Sequence, residues 1–417
     1  MRITSSKEQI RKEAIRRYLS GEPPKSIYES LRKSKRWFFK WLVRYQKTNP
    51  DWFKDQSKAP HIITAKVDED VENLVISVRK RLEDIKYAQI GANNIQWEIK
   101  KLGIEPLPVW TINRILKRNN LVSKRKISYE PRGRNYPEIV ELQDINALHQ
   151  ADLVGPRYIK GDGRFYSLNV MDIRSHRIKL NPIRSKRDEE IANALISTWK
   201  TLGIPEYVQF DNELSFYGSP KHPHHLGLVL RLCLSLDIQP IFIPQGEPWR
   251  NGVIEKFNDT FDKNFFRIQV FRDFSHLVKE AKVFEKFHNE SHRYSVLKGK
   301  TPNELTKKEK FEPFLLPEEF KLSKQPIPIE DGAIHLVRFI RSDRILNIFG
   351  EHFQMPLDVV YEYVVATILT EIHALKITCG DEIVKFFEYR LPPETSTEEI
   401  VKELASHLKY FGILDLL

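Results

Sequence analysis

Residues 148–183 read LHQADLVGPRYIKGDGRFYSLNVMDIRSHRIKLNPI. Three β-rich runs, Leu148 to Val154, Arg164 to Ile173 and Arg177 to Ile183, follow one another, with the turn Lys160-Gly161-Asp162-Gly163 between the first two. That arrangement predicts three consecutive antiparallel strands. The period then changes. Asp188 to Leu202 is amphipathic at helical spacing and is closed by Gly203. Glu206 to Phe210 predicts a fourth strand, Leu226 to Leu236 a helix, Ile238 to Ile243 a fifth strand and Trp249 to Phe266 a long helix. Three antiparallel strands followed by two that alternate with helices describe one α/β sheet.

Three acids fall where such a sheet brings them to one edge. Asp152 lies in the first strand (HQADLVGP), Asp211 immediately after the fourth (VQFDNE) and Glu255 on the long helix (PWRNGVIEKFNDT). Hard carboxylate oxygens at one point suit divalent cations: two Mg²⁺ ions about 3.5–4 Å apart activate an attacking oxygen and stabilise a leaving one at a phosphodiester. Asp152, by its position in the sheet, is assigned as the bridging ligand. Asp172, Glu213 and Glu247 are alternative acids near the same edge. Asn251, one helical turn before Glu255, is open to two readings, a DNA contact or a residue that caps or packs the helix.

Outward to the N-terminus the chain is helical and basic. Ile10, Ala14, Ile15, Tyr18 and Leu19 recur at helical spacing before the stop Gly21-Glu22-Pro23-Pro24, and a second short helix carries Ile27 and Leu31. Ser34 predicts an N-cap for a third helix with Trp37, Phe38, Trp41, Leu42 and Tyr45 on one face and Arg36, Lys40 and Arg44 on another. This is the outline of a helix-turn-helix over 1–48. Further helices at 68–84, 93–102 and 110–119, the last presenting Arg114, Lys117 and Arg118, make a second such unit over 62–122. Residues 123–140 are a basic linker, and the α/β core occupies 141–305.

Outward to the C-terminus, 302–328 is polar and punctuated by proline. Short β-rich runs at 334–340, 345–349, 361–370, 374–378 and 383–389 predict a small β-barrel-like domain over 328–392, and 396–417 a final helix. The architecture expected is therefore multidomain: all-α helix-turn-helix units, a central α/β core and a small β domain.

The formal charge is +11 over 417 residues, and the first fifty hold fourteen Lys and Arg against four Asp and Glu. An excess so localised points to a polyanionic partner bound by one module. Cys233 and Cys379 cannot make a disulfide framework or a cysteine-rich zinc site, which fits a reducing compartment, and Cys233 in an apolar run reads as core packing. His222, His224 and His225, in a Pro-containing loop without a nearby cysteine, read as solvated or phosphate-facing rather than as metal ligands. No run is apolar enough to span a membrane, since Leu226 to Pro244 is interrupted by Arg231 and Asp237.

HQADLVGP, VQFDNE and PWRNGVIE resemble the three acid motifs of the retroviral-integrase-type DDE transposases of bacterial insertion sequences, and LKGKTP (297–302) is similar to a later segment of that family. The third motif is the most specific, because Asn251-Gly252 and Glu255 occur together in the family's catalytic helix. The resemblance covers about 148–302 and implies a ribonuclease-H-like core with Asp152, Asp211 and Glu255 as catalytic and metal-binding residues. Two Mg²⁺ ions are implied, with Mn²⁺ as a substitute. It further implies metal-dependent cleavage of double-stranded DNA at transposon ends, strand transfer into a target, assembly as a homo-oligomer on paired ends, and a cytoplasmic, nucleoid-associated place in a bacterium.

Two departures stand out. Glu213 replaces the glycine common after Asp-Asn, and Ser215 to His225 read as an insertion. No His-His-Cys-Cys module precedes the core, so DNA reading falls to the helical units. The competing expectations are a non-catalytic DNA-binding regulator derived from a transposase, and a nuclease of the same sheet class that cuts but does not join.

Overall fold

The computed structural model describes residues 7–47, 50–55, 67–122, 135–219, 221–222 and 224–392. The expected final helix and residues 123–134 of the linker lie outside the described residues. The chain divides into two compact units, Met1–Glu69 and Asp70–Leu417.

In the first unit, α1 (Lys7–Leu19), α2 (Pro24–Ser30) and α3 (Lys35–Gln46) close around Ala14, Ile15, Ile27, Phe38 and Leu42. Gly21, at φ +90°, ends α1 in a conformation that a side chain would strain. The Ser34 hydroxyl accepts from the Trp37 amide at 3.2 Å, so the predicted N-cap is the one used.

The second unit opens with α4 (Glu69–Asp84), α5 (Ala92–Lys101) and α6 (Val109–Arg118). Its α4–α5 connection packs on the α/β core, where Tyr87 meets Phe284 edge-on at 5.0 Å and Lys86 pairs with Glu280 at 2.8 Å. Trp97 fills the space a Cβ on Gly299 would need.

The core sheet begins with β1 (Leu148–Ile159), β2 (Gly163–Asp172) and β3 (Ile178–Ile183), paired antiparallel. After α7 (Asp188–Leu202), β4 (Tyr207–Phe210) lies parallel to β1. After α8 (Leu214–Tyr217) and α9 (Leu228–Leu234), β5 (Gln239–Phe242) lies parallel to β4. The period-two alternation of the strands sends side chains to two apolar layers. Ala151, Leu168, Val170, Val208 and Phe210 pack with α7 and α9, including the buried Cys233. Phe165, Met171, Ile178 and Leu180 pack instead with α10 (Gly252–Phe261) and α11 (Phe274–Ser291).

Three features differ from expectation. The single long helix over 249–266 is a 3₁₀ turn (Pro248–Asn251), α10 and a π turn (Asp262–Phe266) in succession. The polar stretch after 302 starts with α12 (Pro302–Lys308), which a capping box between Thr301 and Glu304 initiates.

The third difference concerns β6 (Ala333–Phe339), β7 (Ile345–Ile348), β8 (Glu351–Gln354), β9 (Tyr363–Leu369), β10 (Ala374–Cys379) and β11 (Glu382–Glu388). Rather than forming a separate barrel-like domain over 328–392, β6 pairs in parallel with β5, and one sheet runs β11-β10-β9-β6-β5-β4-β1-β2-β3. An open edge on the four-residue β5 is a free row of amides and carbonyls, and β6 covers it. The apolar layer beneath is continuous from Val208 to Ile377. No helix among the described residues is long and apolar enough to cross a membrane.

Candidate active site

β1 and β4 run side by side with Gln150 opposite Gln209. Asp152 and Asp211 each follow by two residues, so all four side chains leave the same face of the sheet. That face is covered by α10. The two glutamines grip its start: Gln150 Oε1 accepts from the Ile254 amide at 3.2 Å, and Gln209 Nε2 donates to the Arg250 carbonyl and to Asn251 Oδ1 at 3.2 and 3.1 Å. Glu255, in the first turn of α10, is thereby set over the two aspartates.

The three carboxyls feel one another. Burial, and then the charges of Asp211 and Glu255, push Asp152 up to about 6. Asp211 is raised by burial and by Glu213, and Glu255 by burial and by Asp211. Among the described residues no three His, Cys, Asp or Glu side chains stand close enough together to hold a metal ion. In donor chemistry alone, carboxylate oxygens are the hard ligands that divalent cations take.

Neutral amides hold Asp152. Asn258, one turn beyond Glu255, donates Nδ2 to Asp152 Oδ2, and Asn169 Nδ2 donates at 2.7 Å to Asn258 Oδ1. Ser167 Oγ donates at 2.6 Å to Asn169 Oδ1. Asn169 and Ser167 are fully buried, so this chain of dipoles is fixed from inside the sheet. Asp211 lines a surface groove with Glu213, Pro244, Gly246 and Glu247, and Oδ1 accepts from the Glu213 amide at 3.1 Å.

Residues 236–302 match the family model of the integrase core domain. The matched segment takes in β5, α10 and Glu255. No curated protein sequence matches the chain.

Solved structures similar to it include viral integrases. The HTLV-2 integrase catalytic core domain in complex with magnesium is 17% identical, over 39% of this chain and 97% of its own, at a TM-score of 0.28. The simian T-cell lymphotropic virus intasome is 15% identical, over 71% and 93%, at 0.34. The catalytic core of BIV integrase is 14% identical, over 40% and 96%, at 0.30. Likeness of this size assigns no residue roles.

Around the three acids the alternatives are otherwise engaged. Asp172 is fully buried and accepts from the Asn146 amide and from Ser175, a turn-holding role. Glu247 accepts from the Tyr363 hydroxyl and from Arg250. Glu213 pairs with Lys186 at 2.8 Å. Asn251 corrects one expectation: it is 2% exposed, with its amide spent on Gln209 and, at 3.3 Å, the Ala151 carbonyl, so it packs the helix and does not reach DNA.

Tyr217 and His224, beyond Asp211, pack against the C-terminal strands. Phe216 stacks on Phe210 at 4.5 Å, Tyr217 on Phe349 at 4.7 Å, and His224 pairs with Glu351 at 3.0 Å while stacking on Tyr389.

The expected DNA-facing cations are divided. Arg36 and Lys40 are exposed on α3, where Lys40 and Arg44 lie 5.5 and 4.6 Å from the Trp41 ring centroid. Lys117 is exposed on α6, and Arg114 lies 5.7 Å from the ring of the exposed Trp110. Arg118 is tied to Glu72, so it is not a free cation of that face.

Gln150, Gln209, Asn169 and Asn258 were not singled out by sequence. The signal was there: Gln-x-Asp occurs at both strands, and Asn258 stands three residues beyond Glu255 on one helix face.

Proposed function

We propose that this protein is a DNA transposase that cuts at transposon ends and transfers strands into target DNA, with Asp152, Asp211 and Glu255 as catalytic residues. The observation that supports the reading is the placement of three carboxyls on one face of the sheet, close enough that the charges of Asp211 and Glu255 raise Asp152 and that of Asp211 raises Glu255. Asp152, Asp211 and Glu255 would hold Mg²⁺, or Mn²⁺ in its place; when bound, the cations supply Lewis-acid activation of the attacking and leaving oxygens of a phosphodiester.

The protein's own groups fix the geometry. Gln150 and Gln209 orient α10, and with it Glu255. Asn258 holds one Asp152 oxygen in place. Arg36, Lys40, Arg44, Arg114 and Lys117 supply phosphate contacts from the helical units, in the manner of helix-turn-helix DNA binding. The DNA is double-stranded, at both transposon ends and target, and joining paired ends calls for a homo-oligomer assembled on them.

The test is joining of a labelled duplex with a free 3′-hydroxyl to plasmid DNA in Mg²⁺ or Mn²⁺. Joined products that vanish in Glu255→Gln support a transposase. Cleavage without joining would identify a nuclease instead, and tight DNA binding with neither product would identify a regulator.

A further inference from the structure

Arg338, on β6, is a buried cation that meets no carboxylate in its hydrogen bonds. Its guanidinium donates to Asn212 Oδ1 at 2.9 Å and to the carbonyls of Val337, Ile243 and Asn347 at 2.9, 3.1 and 3.2 Å. Burial lowers its pKa to about 10, so it stays charged at neutral pH. A buried charge compensated only by dipoles is costly to desolvate. The placement of its partners shows what that cost obtains.

Asn212 directly follows Asp211. Ile243 directly follows β5 and starts the loop that enters the 3₁₀ turn and α10, which carries Glu255. Asn212 Nδ2 also donates to the Ile243 carbonyl, at 2.6 Å. One planar fork therefore ties together the two segments that deliver two of the three acids, and a lysine, with three donors on one nitrogen, cannot make all four of these bonds. The same C-terminal strands hold the other end of the loop. Tyr363 on β9 donates its hydroxyl proton to Glu247 at 2.7 Å and accepts from Arg250 at 3.1 Å, and the Arg250 guanidinium lies 4.0 Å from the Tyr136 ring centroid.

We propose that Arg338 is a positioning residue for the acid site, fixing the Asp211–Asn212 turn against the 243–247 loop, so that the C-terminal strands form an obligate part of the catalytic core. This rests on the reading of Asp152, Asp211 and Glu255 as the reacting site.

The experiment uses the full chain with Asn212→Ala, Arg338→Lys, Arg338→Met and the double variant Asn212→Ala/Arg338→Met. Hydrogen–deuterium exchange over 208–216 and 241–250 is read beside plasmid nicking, DNA affinity and melting temperature. Expected are faster exchange in both segments and a nicking rate lower by about tenfold or more in Asn212→Ala and Arg338→Lys, at unchanged DNA affinity. The double variant should be no slower than Arg338→Met alone, because both act through one contact.

Should Arg338→Met fail to fold, Asn212→Ala and Arg338→Lys carry the test. Unchanged exchange in those two variants, or losses that multiply in the double variant, would overturn the proposal. Absence of nicking by the native protein would count against the transposase reading alone, and the exchange data would still decide the positioning.

Discussion

The acid site and the basic three-helix unit both concentrate charge, and they hold it in opposite ways. At the acid site the carboxylates are half-buried, Asp152 and Glu255 are raised by neighbouring acids, and the set is held by neutral amides from Gln150, Gln209, Asn169 and Asn258. In the three-helix unit Arg36 and Lys40 stand in solvent, and Arg44 lies over Trp41. The difference teaches what each task needs. Bond-making needs a few charges at fixed points, held against their own repulsion. Phosphate tracking needs several cations at a surface, where each adds a similar increment and none must be exact.

The sharpest way to break the comparison is to neutralise the acids. Asp211→Asn and Glu255→Gln should each lower plasmid nicking by about a thousandfold or more while leaving DNA affinity within about twofold. Loss of affinity in both would mean that the carboxylates serve binding or folding rather than chemistry.

The next effect is on stability. Asp152 has a raised folded-state pKa, so its contribution is fully present below about pH 4 and is lost as pH rises through about 6. Without divalent metal, the native protein should therefore lose about 2–3 kcal/mol of stability between pH 4 and 7 from this group. Asp152→Asn should flatten that loss, and Mg²⁺ should stabilise the native protein more than the variant. Denaturant melts across this pH range check both; a native protein equally stable at pH 4 and 7 would show that the site is not strained.

A smaller effect tests the amides. Gln209→Leu and Asn258→Ala should slow nicking by about tenfold, with DNA affinity unchanged, because they shift an acid without removing it. Native rates in both would leave α10 held by its apolar face alone.

How far the sequence shows these regions depends on how local the physics is. The helices of the basic unit, with the Ser34 cap, and the strands around Asp152 are legible because periodicity and caps are written within a few residues. The placement of Glu255 is legible only as a helix position, since the grip of Gln150 and Gln209 joins segments about a hundred and about forty residues away. The seating of β6 on β5 and the turn of Glu213 toward Lys186 depend on packing partners far along the chain, and periodicity does not report them. Asn251 shows the same limit: its spacing from Glu255 allowed a DNA contact, and its burial against Gln209 and Ala151 removes it.

The smallest effect belongs to the basic unit. Arg36→Ala or Lys40→Ala should weaken DNA binding modestly and flatten the slope of log affinity against log salt by about 0.9 each, leaving the nicking rate of bound DNA unchanged. An unchanged slope in both would remove α3 from the DNA surface.

The most direct measurement is nicking of supercoiled plasmid by the native protein and by Asp152→Asn across a Mg²⁺ titration. Metal-dependent nicking by the native protein, absent from an Asp152→Asn protein that still binds DNA, is the expected result. Equal nicking by the two proteins would contradict the assignment of Asp152, Asp211 and Glu255 as the catalytic site.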